Sequence, residues 1–267
     1  MKLAVLGSPV ANSLSPVMHR AALRHAGIDG DYVARDVDGS GFAAAVGDMR
    51  AGRLHGANVT MPHKPRAYET CEVRSELAEH VGAVNTLSLR HGKVAGDNTD
   101  VLGIKQAWKA AGLPEGGRVT IIGSGGAAAA ALVALDGMQI QVVARRPKAA
   151  DTIVQRVGVV AGVLPWGPPP PDTVVVNATP IGMQGESIEQ EWLAQARGLL
   201  DMAYGLSVTP AVRLMRERGR PVAEGLDMLV RQAVASFETW TGATIQPEVM
   251  RAAAERELAR RATSKEP

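Results

Sequence analysis

Arg118–Ile122 is a short β-branched run that leads into Gly123–Ser124–Gly125–Gly126–Ala127–Ala128 and then into a stretch of alanines. G-x-G-x-x-A between an expected strand and an expected helix is a pattern that cradles a pyrophosphate. Gly123 permits the tight turn, Gly125 lets the backbone approach the phosphates, and Ala128 is small enough for the helix to lie close on the strand. The helix N-terminus adds unpaired N–H groups and a partial positive charge. About 20 residues on, where an NAD site usually carries an acid for the ribose hydroxyls, the chain reads Ala144–Arg145–Arg146–Pro147. Two guanidiniums there can grip a 2′-phosphate by forked, charge-assisted bonds, so NADP is expected. The plain alternative is a pair of solvated surface charges.

Three polar clusters precede the glycine turn: Ser13–Leu14–Ser15–Pro16, Gly56–Ala57–Asn58–Val59–Thr60–Met61–Pro62–His63–Lys64 and Gly96–Asp97–Asn98–Thr99–Asp100. Each has a structural explanation beside a chemical one. Ser15 before Pro16 reads as a helix N-cap, which leaves Ser13 unexplained. Asp100 also reads as an N-cap, and Lys64 as an exposed lysine.

The elements that must position these groups follow from the apolar pattern. Strands are expected at Lys2–Gly7, Tyr32–Asp36, Gly56–Thr60, Arg118–Gly123, Gln139–Ala144, Thr173–Asn177, Leu199–Met202 and Val222–Glu224. Helical spacing occupies Val101–Ala111, Ala127–Leu135, Pro210–Arg218, a segment from Gly225 to about Trp240, and the residues after Pro247. Strand and helix in alternation predict βαβ units and a mainly parallel sheet with right-handed crossovers. Breaks after Gly96–Asp100 and near Gly225 suggest domain edges, and Pro168–Pro171 reads as a stiff spacer between helix and strand.

Composition sets the bounds. Of 267 residues, 46% are hydrophobic, which excludes a disordered chain. The 29 basic and 27 acidic side chains give a net charge of +2, too balanced for a nucleic-acid protein. A single cysteine, Cys71, forbids an intrachain disulfide and suits a reducing compartment. The apolar run at the start of the chain is strand-length, so a cytoplasmic protein with no membrane partner is expected. The six histidines show no zinc-ligand spacing and no HExxH, so no metal is expected; G-x-S-x-G is missing too.

Eight ordered motifs resemble the shikimate dehydrogenase family: SLSP at Ser13–Pro16, GANVTMPHK at Gly56–Lys64, GAVNT at Gly82–Thr86, GDNTD at Gly96–Asp100, GSGGA at Gly123–Ala127, NATPIGM at Asn177–Met183, DMAY at Asp201–Tyr204 and GLDMLVRQA at Gly225–Ala233. The resemblance implies an α/β fold of two domains, an N-terminal α/β substrate domain and a Rossmann-like parallel-sheet NADP domain, with a cleft between them. It implies domains at 1–100 and 101–236, with C-terminal helices at 237–267 returning to the first domain. It implies reversible NADPH-dependent reduction of 3-dehydroshikimate to shikimate, with Lys64 and Asp100 as the catalytic pair. Ser13 and Ser15 would bind the substrate carboxylate, and Thr60, Asn85 and Gln232 the ring hydroxyls, with Tyr204 close by. Gly123, Ser124, Gly125, Gly126, Ala127, Ala144, Arg145 and Arg146 would hold NADP, with Met202 and Gly225 near the nicotinamide.

Departures from the family pattern are Asn12, Arg20, Ala144, Leu206 and Glu224; none removes a catalytic group. Two rival readings are a broader quinate/shikimate dehydrogenase using NAD, against which Arg145, Arg146 and both serines speak, and a non-catalytic NADP-sensing relative, against which Lys64 and Asp100 speak. A homodimer is left open.

Overall fold

The computed structural model describes residues 1–264. The chain divides into two compact units, Met1–Thr99 with Val230–Arg260, and Asp100–Leu229 with 261–264.

The first unit runs β1 (Lys2–Gly7), α1 (Ser15–His25), β2 (Asp31–Asp36), α2 (Gly39–Arg50), β3 (Gly56–Val59), α3 (Lys64–Thr70), β4 (Val73–Arg74), α4 (Glu76–Val81), β5 (Thr86–Arg90) and β6 (Lys93–Asp97). Helix α5 (Thr99–Ala110) begins there and continues in the second unit. The sheet order is β2-β1-β3-β5-β6-β4. Strand β1 lies parallel to β2 and β3, whereas β5 is antiparallel to both β3 and β6. Strand β4 is parallel to β6, so three of the five pairings are parallel: the sheet is mainly parallel, as expected, but β5 makes it mixed. Strands β5 and β6 form a hairpin around His91 and Gly92, both at positive φ (51° and 75°), as a two-residue turn requires.

Alternate residues of these strands face two layers. Ala4, Leu6, Ala57, Val59, Leu87 and Val94 pack on Phe42, Val46 and Met49 of α2. Tyr32, next to Val33 of that cluster and so on the other face, stacks on His19 at 4.4 Å between ring centroids. Phe237 and Trp240 close over the same rings.

The second unit contains β7 (Arg118–Ile122), α6 (Gly126–Ala134), β8 (Gln139–Ala144), α7 (Pro147–Val157), β9 (Ala161–Pro165), β10 (Thr173–Asn177), β11 (Gly198–Asp201), α8 (Pro210–Glu217) and β12 (Val222–Ala223). Helix α9 (Gly225–Thr241) starts here and passes into the first unit, followed by α10 (Pro247–Thr263). All six strands are parallel in the order β9-β8-β7-β10-β11-β12. Strand β10 is buried throughout, as expected of a strand covered on both faces. Ile122, Val143, Val175 and Leu199 pack on Trp192, Leu193, Val212 and Met215. Pro168–Pro171 follows a strand, β9, rather than a helix.

Candidate active site

In the first unit, Ser13 and Ser15 follow β1, and the N-cap expected at Ser15 is not formed. Leu14 is the cap, with helical φ of −86° and no side-chain bond; Ser15 is the first helical residue. Instead the Ser15 N–H donates to Ser13 Oγ at 3.2 Å, tying the two serines together. Ser15 is buried and Ser13 half-buried.

Thr60 and Lys64 follow β3 on a short turn. The His63 ring bonds the Val37 carbonyl through Nε2 at 2.7 Å and stacks on Phe42, which anchors that turn to the core. Lys64 is the first residue of α3 with Pro65 behind it, a favoured helix start, and is half-buried. The Val84 N–H donates to the Lys64 carbonyl at 3.2 Å, and the Val59 N–H donates to the Asn85 carbonyl at 2.7 Å. Thr60 after β3, Lys64 at the start of α3 and Asn85 before β5 are therefore neighbours.

Asn85 does a second job. Its Oδ1 accepts from the Thr99 N–H at 2.8 Å, one of the N–H groups that a helix start leaves without an intrahelical partner. Thr99 Oγ1 in turn lies 3.3 Å from Gln232 Oε1, which brings Gln232 of α9 to the same place. Asp100, buried, is the second residue of α5 rather than its cap, and belongs to the second unit with Tyr204 and the expected cofactor residues.

In the second unit, the expected cofactor residues lie at the C-terminal ends of β7, β8 and β11, and at the start of α9. Gly123 has φ of +127°, and a Cβ there would stand 2.9 Å from the Ala178 carbonyl. Both facts demand glycine and lock the turn onto the loop after β10. Gly125, the N-cap of α6, has ordinary extended angles, and a Cβ on it would meet no protein atom. The protein itself does not require this glycine, whereas a phosphate approaching the backbone would. Ser124, Gly126 and Ala127 complete the turn and the first helical positions.

Ala144 is buried at the end of β8, and Arg145 and Arg146 are exposed beyond it. Arg145 is held by a face: its guanidinium carbon stands 5.7 Å from the centre of the Trp166 ring, which packs on Trp192. The loop carrying Met202 and Tyr204 is built on Asp201, a fully buried carboxylate. Asp201 accepts from Asn177 Nδ2 (2.8 Å), the Ala203 N–H (3.1 Å) and Thr209 Oγ1 (2.6 Å). Burial nevertheless pushes its pKa above the usual carboxylate range. Gly225 completes this loop, because a Cβ there would collide with the Ala203 and Met202 carbonyls. The donors at the turn, the room over Gly125 and two arginines without an acid fit an NADP molecule.

Sequence reasoning did not single out Asn58, Thr86, Thr99 or Ser236, which surround Asn85 and Gln232. Ser236 stands four residues after Gln232 on an otherwise apolar stretch of α9. That spacing puts both on one helix face.

Counted from β7, the second unit has the order 3-2-1-4-5-6, with its glycine turn where the order reverses. These features define the dinucleotide-binding class of oxidoreductase domains. A family model described as the shikimate dehydrogenase substrate binding domain matches residues 5–87, and one described as the shikimate 5′-dehydrogenase C-terminal domain matches residues 225–255. The shikimate dehydrogenase (NADP(+)) of Ignicoccus hospitalis is 36% identical over 91% of this chain and 94% of its own length. The chain belongs to the shikimate dehydrogenase family. The solved structure of shikimate 5-dehydrogenase from Thermus thermophilus in complex with NADP(H) and shikimate is similar, with a TM-score of 0.85, 32% identity and coverage of 96% and 99% of the two chains. So is 5-ketofructose reductase of a Gluconobacter strain, with a TM-score of 0.86, 29% identity and coverage of 96% and 98%. No described helix is long and apolar enough to cross a membrane.

Proposed function

We propose that this chain catalyses the reversible NADPH-dependent reduction of 3-dehydroshikimate to shikimate, a step toward chorismate and the aromatic amino acids. The observation that carries this reading is full-length similarity to shikimate dehydrogenases (NADP(+)). The backbone bonds that make Thr60, Lys64 and Asn85 neighbours support the residue roles.

The bound nicotinamide supplies the hydride. The ammonium of Lys64 stabilises charge gathering on the ketone oxygen and gives it a proton; in reverse, the neutral amine takes the hydroxyl proton. Asp100 is its partner in proton transfer. The hydroxyls of Ser13 and Ser15 hold the carboxylate, and Thr60, Asn85, Gln232 and Tyr204 hold the ring hydroxyls. The turn at Gly123–Ala127 holds the pyrophosphate on the N–H groups of α6. Ala144, Arg145 and Arg146 hold the ribose phosphate, and Met202 and Gly225 border the nicotinamide. In this reading residues 1–100 form the substrate domain, 101–236 the NADP domain, and 237–267 return to the first. The protein works in the cytoplasm; light scattering decides between monomer and homodimer.

Absorbance at 340 nm with 3-dehydroshikimate tests the reading, with NADPH and NADH in parallel. A fast fall with NADPH and a slow one with NADH is expected. Lys64→Ala should lower turnover by about 10²-fold or more, the scale of lost general acid catalysis. Faster reduction of 5-ketofructose, which has no carboxylate for the two serines, would reject the substrate assignment. NADPH binding without any turnover would leave a non-catalytic sensor, and equal use of quinate with NAD a broader dehydrogenase.

A further inference from the structure

Behind Asn85 and Gln232 lies a closed cluster of three hydroxyls. Thr86 Oγ1, Thr99 Oγ1 and Ser236 Oγ stand 2.9, 3.0 and 3.3 Å from one another. Ser236 is fully buried, and Thr86 and Thr99 are each 1% exposed. Asn58 Nδ2 donates into this cluster, to Ser236 Oγ at 2.9 Å and Thr86 Oγ1 at 3.2 Å. The orientation of Asn58 is fixed from its other end, where the Tyr32 hydroxyl donates to Oδ1 at 2.8 Å.

Each hydroxyl has one proton to give, and each has a carbonyl in reach; Thr99 Oγ1 has two, Asn85 Oδ1 at 3.2 Å and Gln232 Oε1 at 3.3 Å, and Asn85 Oδ1 is already supplied by Thr86 and the Thr99 N–H. Ser236 donates to the Gln232 main-chain carbonyl at 3.0 Å, Thr86 to Asn85 Oδ1 at 3.0 Å and Thr99 to Gln232 Oε1 at 3.3 Å. Asn85 Nδ2 donates to Thr99 Oγ1 at 3.0 Å, while its Oδ1 also takes the Thr99 N–H. Every hydroxyl proton in this assignment meets an acceptor. Turning the Asn85 amide over would set its NH₂ against the Thr99 N–H, two donors facing each other in a buried site, which is costly.

We infer that Thr99 and Ser236 are positioning residues of the substrate site: Thr99 holds the side-chain amides of Asn85 and Gln232 by its own bonds to both, and Ser236 acts one step back, accepting from Asn58 Nδ2 and so anchoring the amide that leaves Thr86 turned toward Asn85. The inference rests on the proposed roles of Asn85 and Gln232. In this orientation the cluster engages both amide oxygens and one N–H of Asn85.

The test is steady-state kinetics on Ser236→Ala, Thr99→Val and Thr99→Ser, beside Asn85→Ala and Gln232→Ala. Ser236→Ala and Thr99→Val should raise KM for 3-dehydroshikimate about tenfold, the equivalent of one net hydrogen bond. KM for NADPH should stay unchanged, and kcat should stay within about threefold. Thr99→Ser, which keeps the hydroxyl, should restore KM. In a Gln232→Ala background, Thr99→Val should cost less than it does alone, because it acts through that amide. A structural role alone would lower the melting temperature and the active fraction with KM unmoved, and that result overturns the inference. If Asn85→Ala and Gln232→Ala leave the substrate KM unchanged, the underlying assignment fails. If they raise it while Ser236→Ala and Thr99→Val do not, only the positioning role fails. Should Ser236→Ala not fold, the Thr99→Val and Thr99→Ser pair decides.

Discussion

His19 is a titratable side chain sealed in the core of the first unit. It is fully buried, neither ring nitrogen is paired, and its ring stacks on Tyr32. Burial lowers its pKa to about 3; the nearby Asn58 side chain opposes this weakly. The unfolded chain, with an ordinary histidine near 6.5, therefore binds a proton that the folded chain refuses between those values. Stability contributed by the neutral ring is intact above pH 6.5 and drains away as pH falls toward 3, at about 1.4 kcal/mol per pH unit. Urea denaturation at pH 7 and pH 5 should show a loss of about 2 kcal/mol from this one group. His19→Phe keeps an aromatic ring for Tyr32 and should remove that part of the loss. Equal losses in the two proteins would place the proton elsewhere. Arg145 and Arg146 support a second residue-scale prediction. Replacing both with neutral residues should weaken NADPH far more than NADH in binding titrations, because only NADPH carries the 2′-phosphate. An equal loss would mean that the arginines do not read it.

At the scale of elements, two glycines at the expected cofactor site are glycine for different reasons. A Cβ at Gly225 would enter the carbonyls of Met202 and Ala203, whereas one at Gly125 would enter open space. Gly225→Ala should cost about 1–3 kcal/mol of stability, as overpacking does, despite alanine's better helix propensity. Gly125→Ala should change stability by about 1 kcal/mol or less and yet weaken NADPH binding, which thermal melts with and without NADPH separate. Both glycines were visible in the sequence, but what surrounds them was not.

The same limit explains the elements that periodicity passed over. The eight expected strands all form, because each is a run of β-branched or apolar residues with a turn signal beside it. Strands β5 and β6 were missed because their turn is His91–Gly92, where asparagine or aspartate is the familiar first residue. Strand β9 is interrupted by glycine and proline and lies at the edge of its sheet. Strand β4 has two residues. Ser15 and Asp100 sat correctly at helix starts but inside them, as the first and the second helical residue, since the groups that satisfy those starts, Ser13 and Asn85, come from outside the helices.

At the scale of the whole molecule, the first unit is assembled from two distant stretches of chain, and the second stretch supplies core rather than cover. Val230, Phe237, Ile245 and Met250 are all buried to 4% exposure or less. Trp240 lies against Gly56, where a Cβ would strike its indole, and the indole N–H donates to the Leu87 carbonyl at 2.9 Å. Four buried side chains at about 1.5–3 kcal/mol each come to roughly 6–12 kcal/mol, as much as the net stability of an ordinary domain. A fragment ending at Thr99 keeps the sheet but loses all of this, and it should show no cooperative urea transition. The break can be bridged. Thr99 and Gln232 touch through their side chains, so the chain ends at Thr99 and Val230 lie close together. A flexible linker of about six glycine and serine residues spans on the order of 13 Å, enough to join them. Met1–Thr99 so linked to Val230–Arg260 should fold, with a near-ultraviolet signal from Trp240 and a single cooperative transition. If the short fragment melts cooperatively by itself, the two C-terminal helices are an attachment to a finished domain. If the linked protein stays unfolded, residues of the second unit are needed to complete the first.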